Sequence, residues 1–161
     1  LKTSYEKAAF HALIVITLVA FLRFRNLLDT LLCLAPVGIG FIWMLGCMGS
    51  TEIPFNPANI MTLPLVVGIG VTNAIHILGK FHENGEVSLF SGSAGKAVIV
   101  SGLTTIAGFG SLIMAEHRGI SSLGSMMSIG TLACMLVALI ALPALLALIH
   151  GKKVSGDTLA E

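Results

Sequence analysis

The stretch GISSLGSMMSIGTLACMLVALIALPALLALIHG, residues 119–151, runs for 33 positions without a charged side chain. It is bounded by Arg118 on one side and by Lys152 on the other. Since an α-helix rises about 1.5 Å per residue, roughly 20 residues cross the ~30 Å hydrocarbon core of a bilayer. The stretch therefore predicts a membrane-spanning helix.

Four more uncharged windows precede this one, at residues 8–22, 30–51, 53–79 and 97–115. All nine basic and eight acidic side chains of the 161 residues lie outside the five windows, and charged residues make up 11% of the chain, against about 25% in soluble domains. We predict an all-α polytopic membrane protein, a single bundle of five transmembrane helices. The predicted spans are about 5–24, 27–47, 57–80, 97–115 and 120–149, with a connector at 81–96 and a tail at 150–161.

Composition also excludes several functions. The net charge is +1 and no basic stripe alternates with aromatic residues, so we expect no nucleic-acid partner. The three cysteines, Cys33, Cys47 and Cys134, lie inside predicted spans without the spacing of a metal site or a disulfide framework, so we expect them to serve in packing. The sequence indicates no metal and no cofactor.

Lysine and arginine are distributed unevenly between the two sides of the predicted bundle. The side opposite to the N terminus carries six of them, Arg23, Arg25, Lys80, Lys96, Lys152 and Lys153. The other side carries three, Lys2, Lys7 and Arg118. Because loops rich in Lys and Arg stay in the cytoplasm, we predict an outside N terminus and an inside C terminus. Residues 1–7 do not resemble a cleavable signal peptide, so we expect the chain to be the C-terminal part of a longer polytopic protein.

Short motifs predict the ends of the spans. The tight connection RFRN, residues 23–26, predicts a helical hairpin between the first two spans. Asn56 followed by Pro57 predicts a helix N-cap and a first helical position at the start of the third span. Pro143 predicts a kink in the fifth.

Polar residues recur in the middle of the third and fourth spans. The third contains GIGVTNAIH, residues 68–76, in which Thr72, Asn73 and His76 are candidate site residues. Asn73, His76 and Lys80 have i, i+3, i+7 spacing, which places them on one helix face. The fourth span carries a similar stripe, Ser101, Thr104 and Thr105. Polar side chains in a membrane are costly unless they are partnered, so the stripes are either surfaces for helix packing or a functional site.

Three segments together carry a family resemblance: GIGVTNAIHIL (68–78), SGLTTIAGFGSLIMAEHRGISSLG (101–124) and LPALLALI (142–149). They resemble the second transmembrane half of the resistance-nodulation-division (RND) superfamily. Within it, they are most similar to the mycobacterial large-membrane-protein type of lipid exporter and to bacterial hopanoid transporters. The resemblance implies spans 8 to 12 of twelve, in an exporter of hopanoid-like lipids that the proton-motive force drives across the bacterial inner membrane.

The same resemblance implies partners. These are membrane lipids, the first half and exterior domains of the same polypeptide, and further copies in a homo-oligomer. Eukaryotic sterol-sensing domains are similar five-span units, so a lipid-binding or scaffold module without transport is the alternative function.

One motif departs from the family pattern. The family has Gly-x-Gly-x-Asp-Tyr in this helix, and its aspartate belongs to the proton relay, whereas this chain has Thr72 and Asn73 at the matching positions. We therefore expect the aspartate in the other half, with Thr72, Asn73 and His76 as hydrogen-bonding partners and Thr104 and Thr105 near the polar threonine position of the neighbouring helix.

Two other candidates have competing interpretations. His76 is either a proton-exchanging imidazole or an interhelical hydrogen-bond donor. Glu116, beside His117 and Arg118 at the outer end of the fourth span, is either a solvated loop charge or a proton carrier.

Enzymatic functions lack their motifs. A phosphate-binding loop ending at Gly95 and Lys96 would need Gly at position 90 and Ser or Thr at 97, where Phe90 and Ala97 stand. The residues of an intramembrane protease are also missing, so we expect no enzyme.

Overall fold

The computed structural model describes residues 2–51, 56–84 and 93–150, and this part of the chain is almost entirely helical. The helices are α1 (Lys2–Phe24), α2 (Leu27–Ser50), α3 (Pro57–Ile60), α4 (Thr62–Asn84), α5 (Ser93–Gly110) and α6 (Arg118–His150), with a 3-10 turn at Ser111–Met114. The predicted all-α polytopic bundle is confirmed. The tail from residue 151 onward and the middle of the predicted connector, residues 85–92, lie outside the described residues.

The hairpin between α1 and α2 forms within two residues. Arg25 adopts a positive φ of 52°, and its N–H donates to the carbonyl of Phe21 over 2.7 Å, which closes the last turn of α1. Asn26 is the N-cap of α2, and its side chain accepts a hydrogen bond from the N–H of Leu28. These two residues explain the tight connection that the sequence predicts.

The third predicted span is interrupted near its start. The side chain of Asn56 accepts from the N–H of Ala58 over 3.0 Å, so the predicted cap is present, but the helix that it starts ends at Ile60. Pro64 explains the break, because it lacks an N–H and its ring collides with the carbonyl four residues earlier, at Ile60. The long helix α4 begins afresh at Thr62.

The later helices extend past the predicted limits of their spans. Helix α4 continues to Asn84 and α5 begins at Ser93, so residues 81–84 and 93–96 of the predicted connector are helical. Residues 115–117 make the turn before α6, and α6 continues past Pro143 to His150.

Helix α6 is the centre of the bundle, since it packs against α2, α4 and α5. Cys134 of α6 is fully buried and lies opposite two glycines, Gly40 of α2 and Gly70 of α4. A Cβ on Gly40 or Gly70 would be 2.8 Å or 3.2 Å from the Cys134 sulfur. Small residues allow this close approach of the backbones, on which helix association in a membrane depends.

The packing contacts also give the directions of the helices. Along α6, Gly130 lies against Val66 of α4 and Cys134 against Gly70, so the residue numbers rise together and these helices are parallel. Opposite α2 the order reverses, because Gly130 meets Met44 and Cys134 meets Gly40. Helix α5 is likewise antiparallel to α6. The directions therefore alternate as a polytopic membrane protein requires.

Within the described residues, four helices are long and apolar enough to cross a membrane. Their spanning segments are Leu27–Ser50, Thr62–Glu83, Ser93–Met114 and Arg118–Ile149. In α1 the apolar part is shorter, Leu13–Phe24, as the 15-residue first window indicates. The chain is a multi-pass membrane protein.

Candidate functional site

A polar groove lies between α4 and α5, where the two polar stripes meet. Its volume is about 300 Å³. The lining residues are Pro64, Leu65, Gly68, Ile69, Thr72 and Asn73 from α4, with Ser101 and Thr105 from α5. The structure thus brings together four of the residues that the sequence selects.

The threonine hydroxyls of the groove donate to their own helices. Thr72 donates to the carbonyl of Gly68 over 2.8 Å, and Thr105 donates to that of Ser101 over 2.9 Å. Bonds of this kind, from a hydroxyl to the carbonyl four residues earlier, provide the hydrogen with a partner inside the helix. The oxygen lone pairs remain available as acceptors.

Asn73 differs from its neighbours because it is buried, with 3% of its surface exposed. Its side-chain nitrogen Nδ2 has no hydrogen-bond partner among the described residues. A buried amide without a partner costs about 1–3 kcal/mol, and native structures contain few of them. Asn73 is therefore an unpaired hydrogen-bond donor within the described part of the chain.

The face shared by Asn73, His76 and Lys80 is not uniform. Asn73 is turned into the bundle, whereas His76 is exposed, as is Thr72 four residues before it. The side chain of Lys80 lies further along and pairs with Glu83 over 3.0 Å. The expected stripe therefore follows the edge of the buried surface, and Asn73 is its inner member.

Three candidates lie outside the lining of the groove. Thr104 is exposed beside Thr105, and its hydroxyl donates to the carbonyl of Val100 over 2.7 Å. His76 is exposed on α4, and Glu116 is exposed in the turn before α6. Glu116 follows the far end of α5, so the structure does not bring it to the other candidates.

Two lining residues, Pro64 and Leu65, lie outside the segments that the sequence analysis singles out. They precede the glycine motif, and only the break that Pro64 imposes on the third span could have drawn attention to them.

The described residues include no group of three or more His, Cys, Asp or Glu side chains that could hold a metal ion. Cys33, Cys47 and Cys134 are free thiols. The groove combines apolar residues with neutral donors and acceptors, and the latter suit hydrogen bonding to a group that another part of a protein supplies.

Comparison with known proteins identifies the family of the chain. The profile of the MMPL family matches residues 2–156. The chain belongs to the MMPL family. This confirms the resemblance to RND-type lipid exporters that the motifs in α4, α5 and α6 indicate.

Three relatives illustrate the similarity. A hopanoid transporter, HpnN of Rhodopseudomonas palustris, is 30% identical over 155 residues, which cover 96% of this chain and 18% of that protein. Putative membrane protein MJ1562 of Methanocaldococcus jannaschii is 31% identical over 160 residues, covering 91% and 41% of the two chains. Probable transport protein MmpL9 of Mycobacterium tuberculosis is 30% identical over 148 residues, which cover 83% of this chain and 15% of that protein.

The chain therefore spans about a fifth of the first of these relatives and about two fifths of the second. No solved structure matches it.

Proposed function

We propose that this MMPL-family chain is the transmembrane portion of a lipid exporter of the bacterial inner membrane, driven by the proton-motive force. Hopanoid-like lipids are the proposed substrate, since two relatives that match this chain are named hopanoid transporters. The observation that carries the coupling proposal is the groove between α4 and α5. It contains no carboxylate, yet it offers an unpartnered buried amide at Asn73 and acceptor oxygens at Thr72 and Thr105.

The groove has partners for both protonation states of a carboxyl group. An ionised carboxylate only accepts hydrogen bonds, and the N–H groups of Asn73 donate them. A protonated carboxyl donates, and the oxygens of Thr72 and Thr105 accept, because their own hydrogens are already bonded within the helix. In this proposal the Asn73 side chain, which contributes to the lining of the groove, rotates so that its nitrogen faces the aspartate.

We infer that an aspartate from the first half of the full-length protein enters this groove. A charged side chain at mid-membrane is costly unless polar partners surround it, and the groove supplies such partners on two helices. The exposure of α5 supports this arrangement. Only 11% of the apolar window of α5 is buried, compared with 44% of the window of α6. The first half of the transporter is the partner that covers this face, and lipids surround the remainder.

The other candidates take secondary roles in this proposal. Ser101 completes the groove wall, and Thr104 and His76 lie on the face that the first half approaches. Glu116 is a solvated charge of the outer turn, and no enzymatic reaction is involved.

The test uses the full-length protein reconstituted in proteoliposomes with a labelled hopanoid. We expect release of the lipid to an external acceptor when a proton gradient is imposed, and loss of release when a protonophore collapses it. Sequencing the complete gene should also show a membrane helix in the first half that carries an aspartate. Gradient-independent release, or a first half without that aspartate, would refute proton coupling.

The alternative function is a lipid-binding or scaffold module of the sterol-sensing kind, without transport. An apolar groove of about 340 Å³ between α1, α2 and α4 favours it. Phe10, Leu13, Phe41, Leu63, Pro64 and Val67 line this groove. Under this alternative the same reconstituted protein binds the lipid equally with and without a proton gradient and releases none.

A further inference from the structure

Asp29 is a buried acidic residue at the end of the bundle that the Lys and Arg distribution assigns to the cytoplasm. It lies in the first turn of α2, and 7% of its side chain is exposed. Burial of a carboxylate is costly unless a partner compensates it. The partner is His82 in the last turn of α4, whose Nε2 lies 3.4 Å from Oδ2 of Asp29. The pair therefore joins α2 to α4.

The other ring nitrogen of His82 fixes where its proton lies. Nδ1 is 3.0 Å from the carbonyl oxygen of Leu78. A carbonyl oxygen only accepts, so Nδ1 must carry the hydrogen of this bond. In a neutral ring Nε2 then has a lone pair directed at the Asp29 carboxylate, which is repulsive. Both contacts are favourable only when the pair holds one additional proton, on Nε2 or on Oδ2.

The surroundings of the pair leave it open to the solvent. The ring of Phe24 in α1 packs on the His82 ring, with 5.8 Å between the centroids and 33° between the planes. The side chain of His82 is 47% exposed, so protons reach it from the solvent. Asp29 contributes the negative charge that attracts the proton, and His82 contributes the exposed ring through which the proton exchanges with the solvent.

Other charged and titratable groups lie on α1, α2, α4 and α5 at this end of the bundle. Helix α1 contributes Arg23, whose guanidinium carbon lies 5.4 Å from the Phe24 ring. Helix α4 contributes Lys80, neutralised by Glu83 at 3.0 Å. Helix α2 contributes the buried thiol of Cys33, and α5 contributes Lys96, which is exposed. The Lys80 ion pair remains on its own helix, so it cannot replace the contact between α2 and α4.

We propose that Asp29 and His82 form a binding site for one proton, which ties α2 to α4 when the proton is bound and loosens them when it leaves. The proton comes from the solvent at this end of the bundle and returns to it, and no other bond forms or breaks. The tie therefore strengthens on acidification, which adds the proton, and weakens as the pH rises, which removes it. This site is separate from the groove and does not depend on the transport of a lipid.

The first test locates the proton directly. Full-length protein labelled with ¹⁵N-histidine is studied in lipid by solid-state NMR, and the His82 signal is identified by its absence in His82→Gln. At alkaline pH the remaining ring proton should be on Nδ1. After acidification Nε2 should either carry a proton or accept a hydrogen bond from the protonated Asp29 carboxyl, and the two states have different ¹⁵N shifts. His117 is an internal control, because its Nδ1 accepts from the N–H of Gly119 over 3.2 Å and its neutral ring must carry the proton on Nε2. A neutral His82 with its proton on Nε2 would overturn the proposal.

The second test measures the tie between the helices. Thermal unfolding of Asp29→Asn, His82→Gln and the double variant is compared at pH 5.5 and pH 8.5. At pH 5.5 each single variant should unfold about 2 °C lower, which is typical of a loss near 1 kcal/mol, and the double variant should fall no further than either.

At pH 8.5 this favourable coupling should be absent or reversed in sign, because the lone pair of Nε2 then faces the Asp29 carboxylate. The matched control is the exposed pair of Lys80 and Glu83, for which Lys80→Gln and Glu83→Gln should be additive at both pH values, since exposed pairs contribute little. Additivity of the Asp29 and His82 substitutions at both pH values, or equal coupling at both, would contradict a proton-dependent tie.

Discussion

Gly124 of α6 lies directly against the backbone of Phe109 in α5. A Cβ on Gly124 would be 2.6 Å from the carbonyl oxygen of Phe109, a distance at which the backbones must separate. This contact is one of those that hold α5, which forms one wall of the groove, to α6.

The first prediction follows from that contact. Gly124→Ala should lower the stability of the protein by about 1–3 kcal/mol, as overpacking does in well-packed interiors. Gly108→Ala is the matched control, since a Cβ there meets nothing within 4 Å and alanine is the better helix former. Thermal unfolding of the purified protein in detergent measures both. Equal stability of the two variants would mean that α5 is not held in this way.

The second prediction concerns membrane topology. With the three native cysteines replaced by alanine, a cysteine at Ser50, an exposed residue at the end of α2, should react with an impermeant thiol reagent in intact cells. A cysteine at Ser93, exposed at the start of α5, should react only after the membrane is permeabilised. The reverse pattern of labelling would invert the orientation deduced from lysine and arginine.

The third prediction distinguishes the two interpretations of His76. The residue is exposed and does not line the groove, so we expect it to donate at most one hydrogen bond to the first half of the transporter. Such a bond contributes about 0.6 kcal/mol. His76→Gln, which keeps a donor, should change lipid export by less than about threefold and leave its pH profile intact. A flattened pH profile would instead assign proton exchange to His76.

Much of the fold could be predicted because uncharged windows and capping residues act locally. The windows located α2, α4, α5 and α6, and Arg25 and Asn26 make the tight hairpin that RFRN predicts. The sequence analysis does not predict the break at Met61, because Asn56 and Pro57 already mark a helix start. The cause of the break is Pro64.

The candidate site was only partly predictable. Spacing placed Asn73 and His76 on one face, but the rotation of α4 against α6 decides that the first is buried and the second exposed. The pairing of Asp29 with His82 joins residues far apart in the chain, and in the sequence Asp29 only marks the edge of an uncharged window. Such contacts depend on helix packing, which spacing within one helix does not determine.

The central claim is that the groove between α4 and α5 supports a proton-carrying aspartate from the other half of the transporter. Its most direct test is gradient-driven lipid export by the reconstituted full-length protein that carries Asn73→Leu and Thr105→Val together. Thr104→Val is the matched control, because Thr104 makes the same bond within its helix but does not line the groove.

Folding should be preserved in the double variant, since leucine and valine are close in size to the asparagine and threonine that they replace. Export by the double variant should fall by roughly a hundredfold or more, because each hydrogen bond to a charged group contributes about 1.5–3 kcal/mol and two are lost, while Thr104→Val exports normally. Export at the unsubstituted rate by the double variant would contradict the account and leave the groove as a surface for helix packing.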